Sequence, residues 1–182
     1  LNSIGICGPI VFNVRQNIYT EQVEIGAISG ISSTNTITFQ SDPGNTIMPV
    51  IQYGPTTIAD NYTLRLAAGA SYISFDSLNF KTTGTSYSTV VSIPGNTDYI
   101  TINNCKLDGY NNATTSTYQA VLYQTGGLSN YNVFTNNELN NGSYGIYMRG
   151  SGTTSKSVGN LVANNSLNNP NYYLAYFYYQ DS

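Results

Sequence analysis

The sequence has no histidine and no tryptophan, and only two cysteines and two methionines in 182 residues. Without His, the usual general base near neutral pH and most zinc-ligand sets have no residue to draw on. Cys7 and Cys105 are too far apart for a metal-site spacing, and neither has an imidazole to activate it as a nucleophile. They read as two buried free thiols in preference to one disulfide. Charge is scarce as well: Asp, Glu, Lys and Arg make up 8% of the chain, about a third of the usual share. The six cations (Arg15, Arg65, Lys81, Lys106, Arg149 and Lys156) are scattered and the net charge is −3, so no basic stripe is available for nucleic acid. No apolar run approaches the length of a membrane span, which argues against membrane insertion. The start at Leu1 carries neither a Met nor a signal-peptide pattern. Residues 1–182 are read as one module, a fragment of a longer exported chain.

What the chain does contain is Asn, Thr, Ser, Gly and an unusual amount of Tyr. The 17 Tyr and 6 Phe exclude a disordered chain, which would be charged and poor in aromatics. Short stretches of alternating apolar and polar residues are separated by Gly, Pro, Asn and Ser clusters, the pattern of strands and turns. Strands are expected over 11–14, 36–40, 50–53, 63–66 and 100–107, with a looser second set over 90–93, 120–123, 145–148 and 173–177. A sandwich, a barrel and a solenoid all fit such strands, but only a solenoid must repeat.

The chain repeats. Phe75, Ile102, Phe134 and Val162 start four segments spaced by 27, 32 and 28 residues. Two positions on stand Ser77, Asn104, Asn136 and Asn164, followed by Leu78, Cys105, Asn137 and Asn165. Two further on come Phe80, Leu107, Leu139 and Leu167. Asn tolerates the left-handed backbone that a sharp bend between strands requires. Equivalent residues on successive coils lie about 4.8 Å apart, close enough for one side-chain amide to bond the next. Asn104, Asn136, Asn137, Asn164 and Asn165 are therefore assigned to a structural ladder, with at least two strands per coil.

The segments Tyr99–Gly109, Asn132–Leu139 and Asn160–Leu167 resemble the parallel β-helix repeat of the pectin-lyase-like superfamily. The opening, over 5–14, 19–25 and 35–41, looks like the start of β-helix regions in large secreted and surface proteins of bacteria with type IX secretion. The resemblance implies an all-β, single-stranded right-handed parallel β-helix and a carbohydrate-rich, extracellular or cell-surface setting. It leaves function open, since the superfamily includes lyases, hydrolases, adhesins and plain stalks.

An enzyme on this fold would need a basic residue with a calcium site, or two carboxylates facing one another. The acids Glu21, Glu24, Asp42, Asp60, Asp76, Asp98, Asp108, Glu138 and Asp181 show no Asp-Asp pair and no calcium-loop pattern. No catalytic residue, metal or cofactor is assigned. Arg149 is the best candidate base, with Lys106 and Arg65 behind it, each otherwise an outward side chain packing its stem on tyrosine. Aromatic rings stack on sugars, so Tyr123, Tyr147 and Tyr176, with Arg149, are the candidate glycan contacts. The alternative is that these tyrosines only stabilise strands. The polar stretch 111–117 is expected to project from the coil. The expected role is an extracellular structural or adhesin-like module, its partners polysaccharide or neighbouring copies. The competing reading is part of a polysaccharide lyase or glycoside hydrolase whose active site is incomplete here.

Overall fold

The computed structural model describes residues 5–181. Six successive coils each lay down three short strands: β1 (Ile10–Val14), β2 (Ile18–Thr20), β3 (Val23–Ile25); β4 (Ile37–Ser41), β5 (Val50–Tyr53), β6 (Leu64–Leu66); β7 (Ile73–Asp76), β8 (Asn79–Thr82), β9 (Val91–Ile93); β10 (Thr101–Asn103), β11 (Lys106–Asp108), β12 (Leu122–Gln124); β13 (Val133–Thr135), β14 (Glu138–Asn140), β15 (Tyr144–Arg149); and, after a short β16 (Ser157–Val158), β17 (Leu161–Ala163), β18 (Ser166–Asn168) and β19 (Tyr173–Tyr178), with β20 (Gln180–Asp181) closing on β16. The first strands of the coils form sheet A, the second strands sheet B and the third strands sheet C, each of six parallel strands. The molecule is a parallel β-solenoid of six turns. Three strands per coil agree with the at least two read from the repeat, but the segment 100–107, read as one strand, bends at Asn104 into β10 and β11.

The register matches the repeat read from the sequence. Phe75, Ile102, Phe134 and Val162 lie side by side on sheet A, and Phe80, Leu107, Leu139 and Leu167 on sheet B. All face inward, where they meet Leu64, Val91, Leu122 and Ile146 from sheet C. Three phenylalanines, Phe12, Phe39 and Phe75, continue the sheet A column as a face-to-face stack at 4.9 and 5.4 Å. Gln124 also faces this core, fully buried between Ile93 and Met148 with both amide atoms unpaired.

From the third coil on, a residue with left-handed backbone stands at both ends of each sheet A strand. Tyr72, Tyr99, Tyr131 and Gly159 hold φ of 51–65° at one end; Ser77, Asn104, Asn136 and Asn164 hold 52–57° at the other. Asn104, Asn136 and Asn164 thus form the corner itself and are exposed; they lie outside the buried ladder to which the sequence assigned them, because a left-handed residue points its side chain away from the coil interior. Asn104 and Asn136 bond outward, to Ser77 and Asn103.

The buried ladder runs through the next position. The Asn137 Oδ1 accepts the Cys105 N–H at 2.9 Å, and its amide donates to Ile102 O and Asn165 Oδ1. Asn165 does the same one coil on, accepting from Asn137 N and donating to Phe134 O. A second ladder of the same design sits at the other corner. Asn132 accepts from Ile100 N and donates to Thr97 O, and Asn160 accepts from Asn132 N and donates to Ser129 O. In the third and fourth coils the ladder positions are filled by Ile73 and Ile100 at one corner and Leu78 and Cys105 at the other, all buried. Burial pushes the Cys105 thiol up to about 12, against backbone hydrogen bonds from around Leu78, Asn103 and Ser77 that act the other way. Both cysteines are free; Cys105 is buried as expected, but Cys7 is exposed on the turn ahead of β1.

Asn137→Ala strands a buried N–H and a buried carbonyl, and should cost about 2–4 kcal/mol in urea unfolding. Asn104→Ala, which loses an exposed hydrogen bond to Ser77 and a residue that tolerates the left-handed corner, should cost about 1 kcal/mol. Equal costs would remove the distinction between ladder and corner. In native protein at pH 8, iodoacetamide should alkylate Cys7 and leave Cys105 unmodified until denaturant is added, read by peptide mass spectrometry.

Candidate functional site

Sheet C presents an outward column one residue wide. Register aligns Glu24, Arg65, Ser92, Tyr123, Tyr147 and Tyr176 along it, from the first coil to the last. Arg149 lies two residues beyond Tyr147 on the same strand and faces the same side, level with Tyr178. The four residues singled out from the sequence, Tyr123, Tyr147, Arg149 and Tyr176, therefore share one outer face.

The rings stack along the column: Tyr123 and Tyr147 are 5.1 Å apart and tilted by 39°, Tyr147 and Tyr176 4.9 Å apart and within 16° of parallel. Tyr144 closes on this pair edge-on, 5.3 Å from Tyr147 and 6.3 Å from Tyr176. Such contacts contribute about 0.5–1.5 kcal/mol each beyond their buried area, so the column stiffens the last three coils. Stacking also turns the ring faces toward one another. What solvent meets is a row of ring edges and hydroxyls, with those of Tyr147 and Tyr176 bonded to no described residue. Burial raises the Tyr123 phenol above its ordinary value, opposed by hydrogen bonds from Thr117 and Thr125. The Arg149 guanidinium sits about 6 Å from the Tyr178 and Tyr179 rings.

Loops between sheets B and C border this face. They are long in the second, third and fourth coils, over 54–63, 83–90 and 109–121, and shrink to 141–143 and 169–172 beside the tyrosines. The loop 109–121 does not project freely. Asn61 donates to Tyr118 O on one side and Asn171 to Thr114 O on the other, while Tyr118 meets the Tyr87 ring. The loop 54–63 is organised by Asp60, whose carboxylate accepts from the Thr57 hydroxyl and N–H, the Thr56 N–H and the Tyr53 hydroxyl. The Thr57 hydroxyl bond does most to hold the Asp60 carboxyl at about 2.

The other candidate bases are engaged. Arg65 lies 3.8 Å over the Tyr62 ring and pairs with Glu24 at 3.3 Å. Lys106 stands between Asp108 and Glu138 on the outer face of sheet B, at 3.7 and 4.0 Å. This carboxylate pair went unnoticed in the sequence, because Asp108 and Glu138 become neighbours only when β11 and β14 align. Asn140 donates to both acids, so the group is a satisfied polar patch on a flat sheet. Among the described residues, no three His, Cys, Asp or Glu side chains are grouped to hold a metal ion.

A second tyrosine column was also missed. Tyr72, Tyr99 and Tyr131 stack at 4.6 and 5.1 Å, within 9° of parallel, at the corner between sheets C and A. The signal was present, since the three positions, with Gly159, repeat at the spacing of the Phe75 column. Gly159 ends the stack because the Tyr131 ring lies where its Cβ would be.

No protein-family model matches the chain, and neither a curated protein nor a solved structure matches it.

A depressed carboxylate supports structure that is intact above its unfolded pKa and is lost as pH falls through the folded value. The Thr57 amide should therefore stay protected from hydrogen exchange at pH 4 and lose protection toward pH 2, ahead of the sheet A amides. Simultaneous loss in both would show that Asp60 does not act locally.

Proposed function

We propose that this chain is an extracellular structural, adhesin-like β-solenoid module that meets glycan on the outer face of sheet C. The observation that carries the reading is the column of Tyr123, Tyr147 and Tyr176, uncharged and accompanied by one arginine that forms no ion pair among the described residues. Phenol hydroxyls and a guanidinium bond readily to sugar hydroxyls, and their ring edges offer apolar contact to sugar C–H groups. The stacked faces alter the expected mode: contact runs through edges and hydroxyls, with little sugar-on-face stacking. The resemblance to pectin-lyase-like repeats of secreted bacterial proteins supports the setting, and the parallel ladder suits a rod. The charged groups that face one another on sheet B are paired with Lys106 and hydrogen-bonded to Asn140, which favours a non-catalytic module.

Binding to an immobilised polysaccharide array is the test. Tyr147→Phe keeps the stack and removes one hydroxyl, and should weaken binding about 3- to 10-fold, in line with one lost hydrogen bond. The double change Tyr147→Ala and Tyr176→Ala should abolish it while the unfolding curve shows the solenoid retained. A wild-type protein silent across the array would remove glycan contact and leave the structural role alone.

A further inference from the structure

The tyrosine column at the corner between sheets C and A begins and ends inside the solenoid. Tyr72, Tyr99 and Tyr131 occupy it in the third, fourth and fifth coils, with Thr36 at the same place in the second coil and Gly159 in the sixth. The backbone there is pinned from coil to coil. The Tyr72 N–H donates to Asp98 O at 3.3 Å, the Tyr99 N–H to Asn130 O at 3.1 Å and the Tyr131 N–H to Val158 O at 2.9 Å. A left-handed φ of 51–58° turns all three side chains out of the coil. The Tyr72 and Tyr99 rings stack at 4.6 Å and 5°, and Tyr99 is 42% exposed. Each ring therefore has a fixed neighbour, and solvent reaches the pair.

Phenols held this way are placed for oxidative coupling. A one-electron oxidant finds no tryptophan in this chain, so exposed tyrosine and the Cys7 thiol are what it meets first. Partial burial, and then the Tyr72 and Tyr131 phenols on either side, raise the Tyr99 phenol above its ordinary value. It is therefore neutral at physiological pH and gives up its proton together with an electron. Among the described residues, the corner rings meet no ring outside their own column, so they are free to turn about their Cβ–Cγ bonds. That turn swings one carbon ortho to the hydroxyl on each ring toward its neighbour. Tyr147 and Tyr176 lack this freedom, because Tyr144 closes edge-on against both.

We propose that this corner is an oxidative cross-linking site, where a haem peroxidase with hydrogen peroxide joins Tyr99 to Tyr72 as a dityrosine between coils. Each phenol loses one electron and its hydroxyl proton, which leaves two phenoxyl radicals with spin on the ortho carbons. A C–C bond forms between one ortho carbon of each ring. The hydrogens on those two carbons then pass to the oxygens and restore both phenols. Hydrogen peroxide takes up the two electrons and two protons and leaves as two molecules of water. The fixed stack supplies the encounter that free phenols would have to find by diffusion. The bond closes a span of 27 residues and constrains the unfolded chain as a disulfide would. It uses none of the sheet C outer face and is independent of glycan contact.

Treatment of the native protein with a haem peroxidase and hydrogen peroxide tests this, read by dityrosine fluorescence and tryptic peptide mass. Trypsin cuts after Arg65, Lys81 and Lys106, and Tyr72 is the only tyrosine of peptide 66–81. The product should appear as peptide 66–81 joined to 82–106, two hydrogen atoms lighter than their sum. Its yield per chain should hold constant over a dilution series, which marks a bond within one molecule. The oxidised protein should also unfold at a higher urea midpoint. Tyr99→Phe keeps the ring and the stack, and should leave peptide 66–81 unjoined and the midpoint unshifted. Tyr131→Phe should leave the joined pair intact. Oxidised wild type without the joined pair, a yield that falls on dilution, or peptide 66–81 still joined in Tyr99→Phe would each overturn the proposal.

Discussion

A solenoid of this kind depends on what happens at its corners. Each coil must turn sharply at both ends of sheet A, and a sharp turn leaves backbone N–H and C=O groups without strand partners inside the molecule. Buried and unpaired, each would cost about 1–3 kcal/mol. Here the asparagine of one coil answers the corner of the coil before it. Its oxygen takes the N–H just past the left-handed residue, and its amide reaches the carbonyl three positions earlier. The same clamp is built at both corners, at Asn132 and Asn137, and repeated one coil later at Asn160 and Asn165. A side chain with one acceptor and two donors on a short stem suits this task, which Asp, Gln or Ser cannot perform in the same geometry.

From the fourth coil to the sixth the clamps hold the register, and the register, common to all six coils, makes every other feature a column. Inward positions become continuous apolar stacks of Phe, Ile and Leu; outward positions become rows of Asn, Thr and Tyr. Low charge follows from the same constraint, since like charges on successive coils would face one another across one strand spacing. Where charges do occur on the sheets, as at Glu24 and Arg65 or Lys106 and Glu138, the register sets opposite signs beside each other. Stacked tyrosines are the aromatic form of this rule. They make outer faces that are stiff, uncharged and lined by hydroxyls.

Much of the fold was legible because the repeat keeps its chemistry. The columns through Phe75 and Phe80 stand out in the sequence, since the same residue types recur at coil-length spacing. The two-residue bend between β10 and β11 was harder to see, because Ile100–Leu107 alternates like a single strand. The assignment of Asn104, Asn136 and Asn164 to the buried ladder failed for a related reason. In an Asn-Asn pair, sequence cannot say which amide points inward; only the left-handed φ of the first residue sends the second into the core.

By itself the sequence determined the class of fold, the period of the coil and the identity of the columns, because parallel stacking forces equivalent positions to carry compatible side chains. It also determined that nothing here can work through imidazole. The tertiary structure decided what those columns can touch. Tyr123, Tyr147 and Tyr176 are separated in the chain by whole coils, and only the sheet C register brings them into one stack with their faces turned inward on each other. Asp108 and Glu138, likewise, are neighbours only across coils, where Lys106 pairs with both and the Asn140 amide donates to both. Distance along the chain says little about distance across it when coils differ in length, so loop lengths and register, set by packing, had the final say over the surface.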